Sequence, residues 1–194
     1  LSRLFEGTLV AADPARAVTF VENHDTQPGQ SLASTIESWF KPSAYALILL
    51  REAGTPCVFW GDLFGTPETG DLPAVTELPL LMAARRLLAH GPQHDSFDAP
   101  DVVGFAREGD DAHPGSGLAV VLSDRRAGSK RIDVGARHAG ERWICVLGGH
   151  EPVVIGDDGA VELPVSDGGL SAYVPEAAQA ILEGAEQRLS LIHI

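Results

Sequence analysis

The chain has 194 residues, a formal net charge of −13, 44% hydrophobic and 21% charged residues. That balance is ordinary for a globular protein with one or two cores, and the negative charge argues against a nucleic-acid backbone or an anionic membrane as partner. The longest apolar runs also fall far short of the roughly 20 residues a membrane helix needs.

In chain order, Leu1 to Val10 reads as the end of a helix and a connector, and Ala11-Ala12-Asp13-Pro14 as a surface turn. Thr19-Phe20-Val21 is β-favouring and predicts a short buried strand. It runs into Asn23-His24-Asp25, which have no hydrophobic reason to be there, and then into the turn-forming Thr26-Gln27-Pro28-Gly29-Gln30-Ser31. Taken alone, the polar trio reads as a loop that caps a helix. A carboxylate and an imidazole at the end of a buried strand are also how barrel enzymes present catalytic groups.

Pro42 fits the first turn of a helix that runs to Glu52, with Gly54 as its cap. Pro56 to Trp60 predicts a second strand ending at Gly61-Asp62, which completes one and a half βα units. Thr66 to Pro73 is a Gly-, Pro- and acid-rich loop. Pro79 to His90 then predicts a helix, with Leu80, Leu81, Ala84, Leu87 and Leu88 on one face and Gly91-Pro92 as its stop.

From about Gln93 the texture changes. Short β-rich runs recur at Val102–Arg107, Leu118–Ser123, Arg131–Val134, Arg142–Leu147, Pro152–Ile155, Val161–Leu163 and Leu170–Val174, separated by Gly and Asp clusters. Regular short strands with that punctuation predict an antiparallel sandwich. Glu176 to Arg188 reads as a fraying helix, and the abrupt Leu189–Ile194 as the product of a translated sequencing adapter. Cys57 and Cys145 fall in different predicted domains and are expected as free thiols. No Cys-x-x-Cys or His-Glu-x-x-His spacing predicts a zinc site, and His90, His94, His113, His138 and His150 read as scattered surface histidines.

The stretch TFVENHDTQPGQSL resembles the fourth conserved region of the α-amylase family of glycoside hydrolases (family 13). The resemblance continues through Trp39-Phe40-Lys41-Pro42, Tyr45 to Leu49 and Val58 to Thr66, and more loosely to about Tyr173. The bacterial liquefying and cytoplasmic enzymes are the subgroup it looks most like. The resemblance implies the C-terminal part of such an enzyme: residues 1–95 as the end of a (β/α)8 TIM barrel with its seventh and eighth strands, residues 96–175 as a Greek-key β-sandwich, and residues 176–194 as a tail. It implies a monomeric enzyme that binds an α-glucan and cleaves α-1,4-glucosidic bonds with retention.

Within that resemblance, Asp25 is the acid that stabilises the transition state, and His24 and Asn23 border the cleaved sugar. Asp62 is expected either at the rim of the same cleft or in a structural hydrogen bond, and Gln30 and Lys41 are expected to position loops. Trp39, Trp60 and Phe64 are expected in the core, with stacking on sugar as their alternative role. The nucleophile and the proton donor belong after earlier strands of a barrel of about 250 residues, so the chain alone is expected to be inactive. The resemblance also implies a calcium held by the Pro100 carbonyl, Asp101 and Asp124, although the family has a histidine where Pro100 stands. A carbohydrate-binding module without catalysis and a transglycosylase of the same family are the alternatives.

Overall fold

The computed structural model describes residues 1–66 and 72–190. The Thr66–Pro73 loop therefore lies largely outside the described residues, as do the last four residues of the segment read as an adapter product.

The first segment turns rather than continuing a helix. Thr8 caps the four-residue helix α1 (Leu9–Ala12), its hydroxyl accepting the Ala11 N–H at 3.3 Å. Strand β1 (Val18–Phe20), helix α2 (Lys41–Leu49) and strand β2 (Thr55–Cys57) then form a βαβ unit whose strands pair in parallel, Val18 with Thr55 and Phe20 with Cys57. The expected strand is present, shifted by one residue, but it is not buried. Among the described residues this sheet has two strands, and Val18 and Phe20 are exposed. The second strand is also shorter than Pro56 to Trp60, because Trp60–Phe64 coils into helix α3.

Helix α4 (Leu78–Leu87) carries the predicted apolar face, and Leu78, Leu81 and Ala84 are buried on it. The β region comprises β3 (Gln93–Ser96), β4 (Val102–Arg107), β5 (Leu118–Ser123), β6 (Gly128–Asp133), β7 (Arg142–Leu147), β8 (Val153–Val154), β9 (Ala160–Val165) and β10 (Leu170–Pro175). Six of these make one antiparallel sheet in the order β3-β4-β5-β10-β7-β8, and β6 pairs with β9 as a separate ribbon. Strand β3 was not legible in the sequence, because Gln93-His94-Asp95-Ser96 is wholly polar; it straddles the boundary expected at residue 95. A 3-10 turn (Glu176–Ala178), with Ala178 buried, leads into helix α5 (Gln179–Ser190), which docks through Leu182.

The six-stranded sheet is covered on both faces. Leu118, Val120 and Leu122 of β5 share a core with Tyr45, Leu49, Leu78, Leu81 and Leu182 from the helices. Ala119 and Val121 of the same strand point the other way, into a core with Ile132, Leu163 and Trp143 under the β6–β9 ribbon. Successive strand residues alternate between faces, so a strand buried on both sides reads as the unbroken apolar run Leu-Ala-Val-Val-Leu.

Candidate active site

The chain leaves β1 and immediately buries a charge. Glu22 is 3% exposed. Its Oε1 accepts the Ile36 N–H at 2.6 Å and its Oε2 accepts the Thr26 hydroxyl at 3.1 Å, so one carboxylate fastens two points of the following loop. Asn23 makes the turn itself, its Oδ1 accepting the N–H groups of Asp25 at 2.8 Å and Thr26 at 3.1 Å. A short amide side chain that bonds its own backbone two residues on is the usual way to stabilise such a bend.

That turn pushes His24 and Asp25 outward. Their side chains are 83% and 64% exposed, with His24 Nε2 at 3.3 Å from Asp25 Oδ1. A free carboxylate beside an imidazole, held at the end of a parallel strand by a fixed turn, can take a hydroxyl-rich ligand and can stabilise positive charge on it.

Asp62 lies elsewhere than at the rim. It is fully buried, its Oδ1 bonded to Lys41 Nζ at 2.5 Å and its Oδ2 accepting the Tyr45 hydroxyl at 2.6 Å. Both oxygens are engaged inside the protein, which is the structural hydrogen bond given as its other role. Lys41 also reaches Glu22 Oε1 at 3.5 Å, with its own side chain 4% exposed. Burial first, and then the Asp62 hydrogen bond, push the Tyr45 hydroxyl pKa well above its ordinary value. Glu22 and Tyr45 are not among the residues expected at the site. The available signal was a lone Glu directly after an apolar strand, with Lys and Tyr one turn apart at the start of an apolar helix.

The tryptophans depart from the expected core. Trp39 and Trp60 are 51% and 65% exposed, with Trp39 packed edge-on to Phe40 and Trp60 tilted against Phe64. Trp39 begins no strand or helix, and Trp60 opens a five-residue helix too short to turn it inward. His138 departs in the opposite direction. It is buried, with Nδ1 at 2.7 Å from Glu141 Oε2 and Nε2 at 2.7 Å from the Glu108 carbonyl.

The residues expected to hold calcium lie together. The Asp124 N–H donates to the Asp101 carbonyl at 3.2 Å, and the Pro100 carbonyl accepts from the Leu1 nitrogen at 2.6 Å. Asp124 Oδ1 is a buried oxygen without a hydrogen-bond partner. A buried carboxylate oxygen with no partner among the described residues is the part of this set that fits a hard cation.

No protein-family model matches the chain. Over 178 residues the chain is 48% identical to an α-amylase of Bacillus licheniformis, an alignment covering 90% of this chain and 35% of that protein. The chain belongs to the α-amylase family. The cytoplasmic α-amylase of Escherichia coli (strain K12) is 42% identical over 187 residues, covering 91% of this chain and 37% of that one. The solved structure of an α-amylase from Malbranchea cinnamomea matches with a TM-score of 0.60 at 16% identity, over 87% of this chain and 39% of that one. The likeness shows that the chain shares the fold of the matched part of that α-amylase, a family whose fold is a TIM barrel followed by a C-terminal β domain. The chain spans about a third of the length of the curated relatives it matches.

Proposed function

We propose that this chain is the closing part of an α-amylase that hydrolyses internal α-1,4-glucosidic bonds with retention and acts as a monomer on α-glucans. The observation that carries the reading is the His24–Asp25 pair, exposed at the end of β1 on a turn that Asn23 and the buried Glu22 fix from beneath. In this reading His24 hydrogen-bonds the sugar at the cleavage point. Asp25 holds its negative charge where the ring acquires oxocarbenium character. Because the backbone turn and not substrate binding sets its position, that charge needs no reorganisation during the reaction.

Retaining hydrolysis also needs a nucleophilic carboxylate and a carboxylic acid about 5 Å apart. Glu22 and Asp62 are unsuited to either role, since protein donors already occupy their oxygens. This reading therefore assigns the nucleophile and the acid to parts of the full-length enzyme beyond the matched third. Calcium is the cation it implies, and the Pro100 carbonyl, Asp101 and Asp124 would hold it. When bound it supplies a positive charge that ties the start of β4 to the end of β5.

The test is Asp25→Asn in the full-length enzyme, assayed on starch beside this chain alone. The expected result is a loss of kcat of at least about 10²-fold in the variant and no cleavage by the isolated chain. An Asp25→Asn enzyme with unchanged kcat, or starch cleavage by the isolated chain, overturns the proposal.

A further inference from the structure

Three of the polar residues that the sequence scatters are gathered by the fold. His90 follows α4, while Asp110 and His113 lie in the turn between β4 and β5. Backbone hydrogen bonds lock the two segments together: Gly109 N–H to the His90 carbonyl at 2.9 Å, Glu108 N–H to the Pro92 carbonyl at 2.9 Å, and Gly117 N–H to the Leu88 carbonyl at 3.0 Å. The His90 and His113 rings stack face to face, centroids 3.6 Å apart and planes 5° from parallel. One potential ligand atom from each of His90, Asp110 and His113 lies within 4.8 Å of the other two.

Each histidine has one ring nitrogen in a hydrogen bond. His90 Nε2 lies 3.1 Å from the Arg86 carbonyl, and His113 Nδ1 lies 2.8 Å from Asp110 Oδ1. The Arg86 carbonyl can only accept, so His90 Nε2 carries the hydrogen and the ring's lone pair is on Nδ1. His113 Nδ1 and Asp110 Oδ1, 2.8 Å apart, stand near the spacing of two ligands on one ion, which would take the place of the hydrogen between them. The Arg86 carbonyl thus holds the His90 ring as backbone acceptors hold the rings of metal-ligating histidines. The third donor is the Asp110 carboxylate, whose Oδ1 also accepts the His113 backbone N–H at 2.8 Å. The nearby cation does not fill the cluster: Arg107, whose charge reaches Asp110, is tied to the Gly91 carbonyl at 3.0 and 2.7 Å.

We propose that His90, Asp110 and His113 form a binding site for a divalent transition-metal ion of the zinc class, which clips the end of α4 to the β4–β5 turn. Two imidazoles and one carboxylate suit zinc, whereas calcium is served by oxygen donors alone. Ligands on a tetrahedral zinc lie about 3.4 Å apart, so the donors must draw in, and one ring must turn out of the parallel stack for the ion to lie in both ring planes. His113 can supply most of that movement, because its side chain is 48% exposed. The fourth position is left to water.

The test is titration of the chelator-treated chain with zinc by calorimetry and with cobalt by visible spectroscopy. The expected result is one equivalent of zinc bound, cobalt bands of a tetrahedral complex, and no competition from excess calcium. His113→Gln and Asp110→Asn each abolish the signal while circular dichroism stays that of the parent, and His94→Gln, which alters a histidine outside the cluster, keeps it. Absence of stoichiometric zinc binding, displacement by calcium, or His113→Gln and Asp110→Asn that bind as the parent does would each overturn the proposal. So would loss of binding in His94→Gln.

Discussion

Lys41 Nζ stands 2.5 Å from Asp62 Oδ1 and 3.5 Å from Glu22 Oε1, so a single buried ammonium serves two buried carboxylates. One comes from the end of β1 and the other from α3, and Tyr45, one helical turn after Lys41, gives its hydroxyl to Asp62. The loop that presents His24 and Asp25 thus rests on a charged group of residues that never meets solvent.

Removing the shared cation strands both carboxylates. Lys41→Met is expected to lower the unfolding free energy by about 3–5 kcal/mol, measured by urea denaturation. Adding Asp62→Asn to that variant relieves one orphaned charge, so the double variant should lose much less than the sum of the two single losses. Additive losses would mean that the pair is not coupled.

Tyr45 gives the cluster an alkaline limit. Burial and Asp62 raise the folded-state pKa of Tyr45 above the ordinary value of 10.0, so the folded protein holds this proton more tightly than the unfolded chain does. The corresponding stability is complete below that ordinary value and is lost as the pH climbs above it toward the folded value. Chemical denaturation from about pH 9 upward should show stability falling more steeply in the parent than in Tyr45→Phe. Equal slopes would remove Tyr45 as the cause.

Glu22 acts on loop order more than on global stability. In Glu22→Gln the Ile36 N–H keeps an uncharged acceptor, the Lys41 contact loses its charge, and the neutral amide cannot match both old acceptor bonds. Hydrogen exchange at Ile36 and limited proteolysis between residues 22 and 41 should both accelerate, by roughly tenfold for each 1.4 kcal/mol lost. Protection unchanged from the parent would show that the loop is held by other contacts.

Calcium supplies a fourth check. If Asp124 Oδ1 is orphaned because a cation completes it, calcium should raise the thermal midpoint of the parent and leave Asp124→Asn unmoved. A chelator should reverse the shift in the parent only. A parent that calcium does not stabilise would count against the site.

How far the sequence could be read depended on whether local pattern or distant pairing made the feature. Val102–Arg107, Leu118–Ser123 and Arg142–Leu147 are strands with the bounds expected of them, because apolar, β-branched runs between turn formers carry their own signal. The turn at Asn23 was likewise local. By contrast, Glu22, Lys41, Tyr45 and Asp62 meet only once α2 and α3 have folded back beside β1, and nothing near Asp62 in sequence reveals that it is buried. Trp60 misled by its chemistry: a bulky aromatic after a strand suggests core, yet it opens a short helix on an open flank. His90 and His113 misled by their separation, which α4 and the β4–β5 turn cancel.

Strand β5 serves two cores at once, one under the helices and one under the ribbon. An engineer seeking to transplant the β domain onto another barrel would find no seam to cut. Excising it at residue 92 would strip Val103, Phe105, Leu118, Val120 and Leu122 of the α2 and α4 side chains that share their core. The inheritable unit is the sheet together with α2, α4 and α5, and a chimera that respects that boundary should fold where one cut at the strands would aggregate.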